Sequence, residues 1–437
     1  MTGRLRPAVL RILHVSGAAL AAASLAPTAA QAGWSRPFDL SPPGTMDRLA
    51  AQLAVAPSGA AAAAFSVTDL DTPGSAQAEL VTRSAAGAVS APRPLTGVRE
   101  VLDLGFTRRG LELLTGSSPA GLDCCSSVSA GRWNGIGLAG AQTLVGGLTG
   151  ASTARLVTLT AGRQLAAIAS ERGVWAAMSG SNGRFARPRR LTGNGQVPQA
   201  MSAAALDGQN AIVAWTAATG PAGYADPRAI FYGLASRHGV PRHAGTLLRT
   251  PSGHRIEELA AARRATRATV AWTESWYDRR GSLHSEVRAA DVAAHPGVHD
   301  FPAVGGLASG VSLAADAAGA QVLVYKACRA DGGCTVRVAL RGRTTPFGAV
   351  RSLGAIDDDQ TPSVSVSSGG RIVVVFARAG HPMAAVGSAS GGAIGVARSL
   401  SPTTFAYDVT VADGGRRALA AWSQGTLNPS IAGAVLP

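Results

Sequence analysis

One short phrase, small and β-branched residues closed by a large apolar side chain, recurs along this chain and leaves it few ways to fold. It reads Ala211-Ile212-Val213-Ala214-Trp215, then Ala268-Thr269-Val270-Ala271-Trp272, then Ala418-Leu419-Ala420-Ala421-Trp422. Looser copies end at Phe65, Tyr325 and Phe376, with apolar stand-ins at Leu114 and Ile168. Each has the length and side-chain type of a buried strand.

The neighbours of the phrase repeat with it. Ahead of each copy runs a strand of small alternating residues, clearest at 52–56, 311–315, 363–367 and 408–412. Gly-rich hairpins such as Pro57-Ser58-Gly59, Asp207-Gly208 and Ser368-Gly369-Gly370 join the two. A third strand follows, as at 229–235 and 335–340. Then comes an outer strand that often carries proline, at 34–41, 89–96, 185–192, 347–353 and 396–401. Proline lacks a backbone N–H and is tolerated mainly at a sheet edge, so these strands belong outermost. Four strands repeating about every fifty residues predict the blades of an all-β single propeller. Counting pairs of first and second strands gives eight blades; the second and third copies are weakest, which leaves seven or nine open. The chain opens with an outer strand and ends, at 431–436, with a third strand. The amino-terminal strand is therefore expected to complete the last blade and close the ring. No Pro/Ser-rich linker breaks the repeat, which argues against a string of β-sandwiches.

These repeats resemble secreted bacterial β-propellers of the sialidase-like or WD-repeat-like superfold, over most of residues 34–437. The likeness is architectural. Neither the Ser-x-Asp-x-Gly-x-x-Thr-Trp box of sialidases nor a repeated Trp-Asp pair occurs.

Residues 1–32 read as a signal peptide. Arg4, Arg6 and Arg11 precede or open an apolar run, and Ala30-Gln31-Ala32 has the small-x-small form of a cleavage site. Residues 33–437 then form the propeller domain, with no later span of transmembrane length, and the expected location is secreted or cell envelope. The formal charge of +14 rests almost wholly on arginine, Lys326 being the only lysine. Clusters such as Arg187, Arg189 and Arg190 read as solvated strand faces and turns, and no nucleic-acid partner is expected. Cys328 and Cys334 flank a turn-forming loop and are expected to pair; Cys124 and Cys125 are adjacent, with their pairing open between each other and a partner elsewhere. No Cys-x-x-Cys or histidine cluster points to a metal, and no cofactor is expected.

In a propeller, the loops entering the first strand and those leaving the second share one face. That face collects Asp69 and Asp71, Tyr224 and Asp226, and Trp276-Tyr277-Asp278-Arg279-Arg280 from one loop class. Asp47, Glu100, Glu257, Glu258 and Asp357-Asp358-Asp359 come from the other. Trp276 and Tyr277 fit either a cap on a blade interface or a platform for a ligand. The aspartate run fits a solvated turn or an oxygen-ligand cation site. Trp215, Trp272 and Trp422 recur at one strand position and belong to the core.

No His-Glu-x-x-His, P-loop or Gly-x-Ser-x-Gly motif occurs. The expected function is a monomeric binding module for an extracellular glycan or protein, with an acidic glycan preferred. Its ligand-binding residues are Trp276, Tyr277, Asp278, Arg279, Arg280 and Tyr224. The alternatives are a sialidase-like glycoside hydrolase, which needs paired carboxyl groups or a tyrosine nucleophile, and a purely structural envelope protein.

Overall fold

A computed structural model describes residues 33–437 apart from 42–46, 69–74, 119–124, 149–150, 160–161, 194–195, 220–225, 237, 241–243, 294–295, 303–305, 331, 403–404 and 426–428. The described chain is an eight-bladed β-propeller, and each blade is a separate antiparallel sheet. Blade 5 is representative. Its inner strand is His254–Arg264, its second Arg267–Tyr277, its third Leu283–Asp291 and its outer Val298–Pro302. Inner strands of successive blades pack around the ring, and that of blade 1, Asp47–Val55, meets that of blade 8, Ala406–Asp413.

The last blade is completed from the front of the domain. Phe38–Asp39 pairs with Ser430–Leu436, placing Phe38 opposite Gly433. Ser35 N–H donates to Val435 O at 2.8 Å and Leu40 N–H to Ile431 O at 2.8 Å, so the seam is pinned on both sides of the ladder.

The recurring phrase forms the second strand of every blade. Its residues are buried on both faces because blades pack on either side, which is why the run is apolar without alternation. Ala61 to Ala64 are 1–3% exposed. Trp215, Trp272 and Trp422 are at most 1% exposed, as expected of core residues. The weaker second and third copies also form complete blades, from Glu100–Thr107 onward and Ala151–Thr158 onward.

The outer strands differ from expectation in length. Ladder pairing is limited to Arg93–Pro94, Arg189–Arg190 and Phe38–Asp39 where runs of eight were predicted. Proline contributes: each of these segments carries one or two prolines that cannot donate to the third strand, although the proline-free segment 396–401 of blade 7 is equally short, pairing only at Arg398–Ser399. Blade 6, whose outer segment lacks proline, keeps a longer strand at Arg351–Ile356.

The inner strands hold a feature that composition does not announce. In seven of the eight blades, the pairing of the inner with the second strand slips at a bulge. Polar side chains then join adjacent inner strands. Asp103 accepts the Leu156 N–H at 2.7 Å, Ser202 the Ala261 N–H at 3.0 Å, Glu258 the Val311 N–H at 3.0 Å and Gln360 the Asp408 N–H at 2.8 Å. Burial pushes the Asp103 carboxyl above the usual range, while Arg155 and the two N–H groups it accepts pull the other way.

The Cys328–Cys334 disulfide forms as the spacing predicts, with Cα atoms 4.0 Å apart at directly opposed positions of a hairpin. Cys125 is disulfide-bonded as well.

Two of the three core tryptophans satisfy their indole N–H two residues further along the same strand face. Trp272 donates to Glu274 at 3.2 Å and Trp422 to Gln424 at 3.2 Å. Trp215 has Ala217 at that position, and its buried Nε1 has no hydrogen-bond partner among the described residues. Ala217→Gln should supply the acceptor and raise stability by about 1 kcal/mol, read as a higher urea midpoint with an unchanged slope. A lower midpoint would mean that the added side chain costs more in packing than the bond returns.

Candidate functional site

The loop singled out by sequence closes the second strand of blade 5, on the face where chains enter inner strands. Trp276 lies directly opposite His254 on one neighbouring strand and His284 on the other. The three rings stack. His254 lies 4.9 Å from the indole at 9° and His284 5.6 Å from it at 17°. Both indole faces are therefore covered by imidazoles.

Each histidine is anchored by a carboxylate. His254 Nδ1 and Glu274 Oε1 are 2.7 Å apart, and His284 Nε2 and Asp278 Oδ2 are 3.0 Å apart. Glu274 is fully buried beneath the ladder, where it also accepts from the Trp272 indole and pairs with Arg288 at 3.3 Å. Asp278 organises the turn itself: its Oδ1 accepts the Arg280 N–H at 2.8 Å and the Ser282 N–H at 2.9 Å. The His284 contact and these N–H donors hold its carboxyl below the ordinary aspartate value. Gly281, at φ 80°, lets the chain reverse immediately after the arginines.

What this platform presents outward is different from what fixes it. Tyr277 is 69% exposed. Arg279 and Arg280 are exposed, and their guanidinium groups have no ion-pair partner among the described residues. Arg255 stands beside them, hydrogen-bonded to Glu257 at 2.7 Å and influenced by Tyr277 and Asp226. The Glu257 carboxylate raises the Arg255 guanidinium above its ordinary value and keeps it charged. Next to this patch, between the top of blade 4 and the entry to blade 5, lies a cavity of about 400 Å³. Asp226, Arg228, Arg249 and Ser252 border it. Sequence reasoning found Asp226 but missed both arginines, which immediately precede a third strand and end an outer one; only the antiparallel register brings Ala229 opposite Arg249. Tyr224, Asp69 and Asp71 lie outside the described residues.

Two of the other acidic candidates, Asp357 and Glu258, serve structure. Asp357 accepts the N–H groups of Ala379 and Gly380 at 2.6 and 2.9 Å, holding a turn of blade 7. Glu258 accepts from Thr273 at 2.9 Å as well as from Val311. Among the described residues no group of three His, Cys, Asp or Glu side chains is placed to hold a metal ion. The central channel widens to a cavity of about 450 Å³ lined by Gln52, Glu258, Ser312, Thr361, Asp408 and Thr410, among others. None of its described lining residues is arginine or tyrosine.

No protein-family profile matches the chain, and no curated protein matches it in sequence. Among solved structures, the Dos1 propeller superposes with a TM-score of 0.55 at 10% identity, over 91% of this chain and 93% of that one. A polysaccharide lyase of family PL25, an ulvan lyase, gives 0.47 at 10% identity over 91% and 95%. The Hadza microbial sialidase gives 0.40 at 11% identity over 78% and 75%. The likeness to the Dos1 propeller describes the fold and leaves the chemistry to the residues.

Two outcomes test the site's construction. Glu274→Ala strands His254 and an indole N–H and removes one of the carboxylate partners of Arg288, which keeps Glu286 and Asp300. It should destabilise by about 2 kcal/mol or more, whereas Glu274→Gln should cost distinctly less, and equal midpoints in urea would refute the anchoring role. Because the folded carboxyl of Asp278 titrates below its unfolded value, its contribution to the turn is complete above the ordinary aspartate range. It fades only as the pH falls through the depressed value. Amide exchange at Ser282 should therefore stay protected on acidification through the usual aspartate range. Loss of protection at or above that range would contradict the assignment.

Proposed function

We propose that the blade 4–blade 5 face is a binding site for an acidic glycan, one bearing uronate or sulfate groups, in an exported protein that works as a monomer. The observation that carries this reading is the exposed Tyr277 ring flanked by the unpaired Arg279 and Arg280. Aromatic rings pack on the apolar faces of sugars, and arginine pairs with carboxylate and sulfate through two parallel N–H donors. Arg255, Arg228 and Arg249 extend the same positive surface around the adjoining cavity.

Trp276 and Asp278 take a positioning part. The two imidazoles and the indole form a stacked base that fixes where Tyr277 and the arginines stand. A rigid base limits the side-chain entropy lost on binding. Export is supported by the leader-like residues 1–32 and by the Cys328–Cys334 disulfide, which suits an oxidising compartment. Among the described residues no helix is long and apolar enough to cross a membrane.

A glycan array of neutral, uronate-bearing and sulfated oligosaccharides tests the proposal. The full chain should retain acidic members and release them as salt is raised. Tyr277→Ala and Arg279→Ala should each weaken binding by roughly tenfold, with Trp276→Ala doing so through the displaced loop. Retention of neutral glycans alone would refute the ligand class, and undiminished binding by all three variants would move the site elsewhere.

A further inference from the structure

The opposite face carries a second concavity, built from a local failure of two outer strands. In blade 6 the third strand ends at Arg341 and the outer strand begins only at Arg351, with a long turn between them. In blade 7 the outer edge is broken into Ala393–Ile394 and Arg398–Ser399, which pair with different parts of the third strand, His381–Ser388. Between the two pieces the chain bows outward, and Val396 is 87% exposed. The gap between these two unfinished edges is a cavity of about 520 Å³. That size falls in the usual range of small-molecule sites, about 300–1,000 Å³.

Its walls are apolar, chiefly Val338, Leu340, Pro346, Leu353 and Ile394. None of the lining residues is acidic. Arg351 lies directly opposite Val338 in the ladder, so the two side chains share the sheet face that packs toward blade 7. Arg351 makes no ion pair or side-chain hydrogen bond among the described residues and is exposed at the cavity's edge. Arg341 also borders the space, but its guanidinium is committed on the other side of the sheet, to Gln321 at 2.6 Å and to Asp291 at 2.7 Å, over the Phe347 ring. One uncommitted cation therefore stands at the mouth of an apolar chamber. A neutral apolar ligand leaves that cation unused, and a cationic one meets it as a like charge.

We propose that this cavity binds a medium-length aliphatic carboxylate, its chain lying between blades 6 and 7 and its carboxylate paired with Arg351. The site is separate from the proposed glycan surface, since turns between third and outer strands lie on the face opposite the Trp276 loop.

Calorimetric titration of the full chain with decanoate, decanol and decyltrimethylammonium tests the assignment. Decanoate should bind at one site per chain, decanol roughly tenfold more weakly and the cation weakest of all. Arg351→Gln, a change at an exposed position, should reduce decanoate to the level of decanol and leave decanol unchanged. Ile394→Trp, which fills the chamber, should abolish both. Absence of saturable decanoate binding, equal affinity for decanoate and decanol, or binding indifferent to Arg351→Gln would each overturn the proposal. So would several sites per chain that persist in Ile394→Trp, the signature of unspecific surfactant adsorption.

Discussion

Eight sheets meeting around one axis face a difficulty that a single sheet does not. Adjacent inner strands are neighbours in space but members of different ladders, so no continuous backbone pairing joins them. Here side chains make that connection. Asp103, Ser202, Glu258 and Gln360 each accept an N–H from the inner strand of the following blade. Register slips in seven inner strands alter the ladder near the same zone. A bulge leaves a residue unpaired within its own sheet, and a buried unpaired N–H is costly unless something accepts it. Glu258, which lines the channel, is thus occupied in holding the ring.

This division of labour also separates what the amino-acid string makes readable from what it hides. The Trp-ending phrase was legible because a strand buried on both faces needs small and β-branched residues throughout, and few other structures do. The blade count and the closing strand followed from repetition alone. Outer strands were legible in position but not in length: proline removes donors in three of them, and blade 7 pairs only at Arg398–Ser399 without any proline in 396–401. The interblade acceptors were hidden because a lone Asp, Ser or Glu in a strand, or a Gln just ahead of one, has no periodic signature.

On the face that carries the candidate site, the loop 276–280 was visible through its composition. Its supports were not: His254 and His284 flank Trp276 only through pairing with strands on either side. Composition gave two aromatics as equivalent candidates, and geometry distinguishes them, with the indole enclosed between imidazoles and the phenol facing out. Cys328 and Cys334 stand at the opposite extreme. Six residues and a turn determine their meeting, so no knowledge of the rest of the ring was needed.

The seam in the eighth blade has a bearing on the order of assembly. Ser35 and Val435 are hydrogen-bonded partners although 400 residues separate them along the chain. Seven blades are each made from contiguous chain and can form as synthesis proceeds, but the eighth is complete only when the last strand meets the segment that was made first. Until that meeting, the strand Ser430–Leu436 has an unfilled edge, and so does its partner-to-be. Exposed strand edges recruit strands from other molecules, and closing so long a loop is slow relative to local pairing. The interval before the ring seals is therefore when crowded copies of this protein are most prone to exchange first strands with one another.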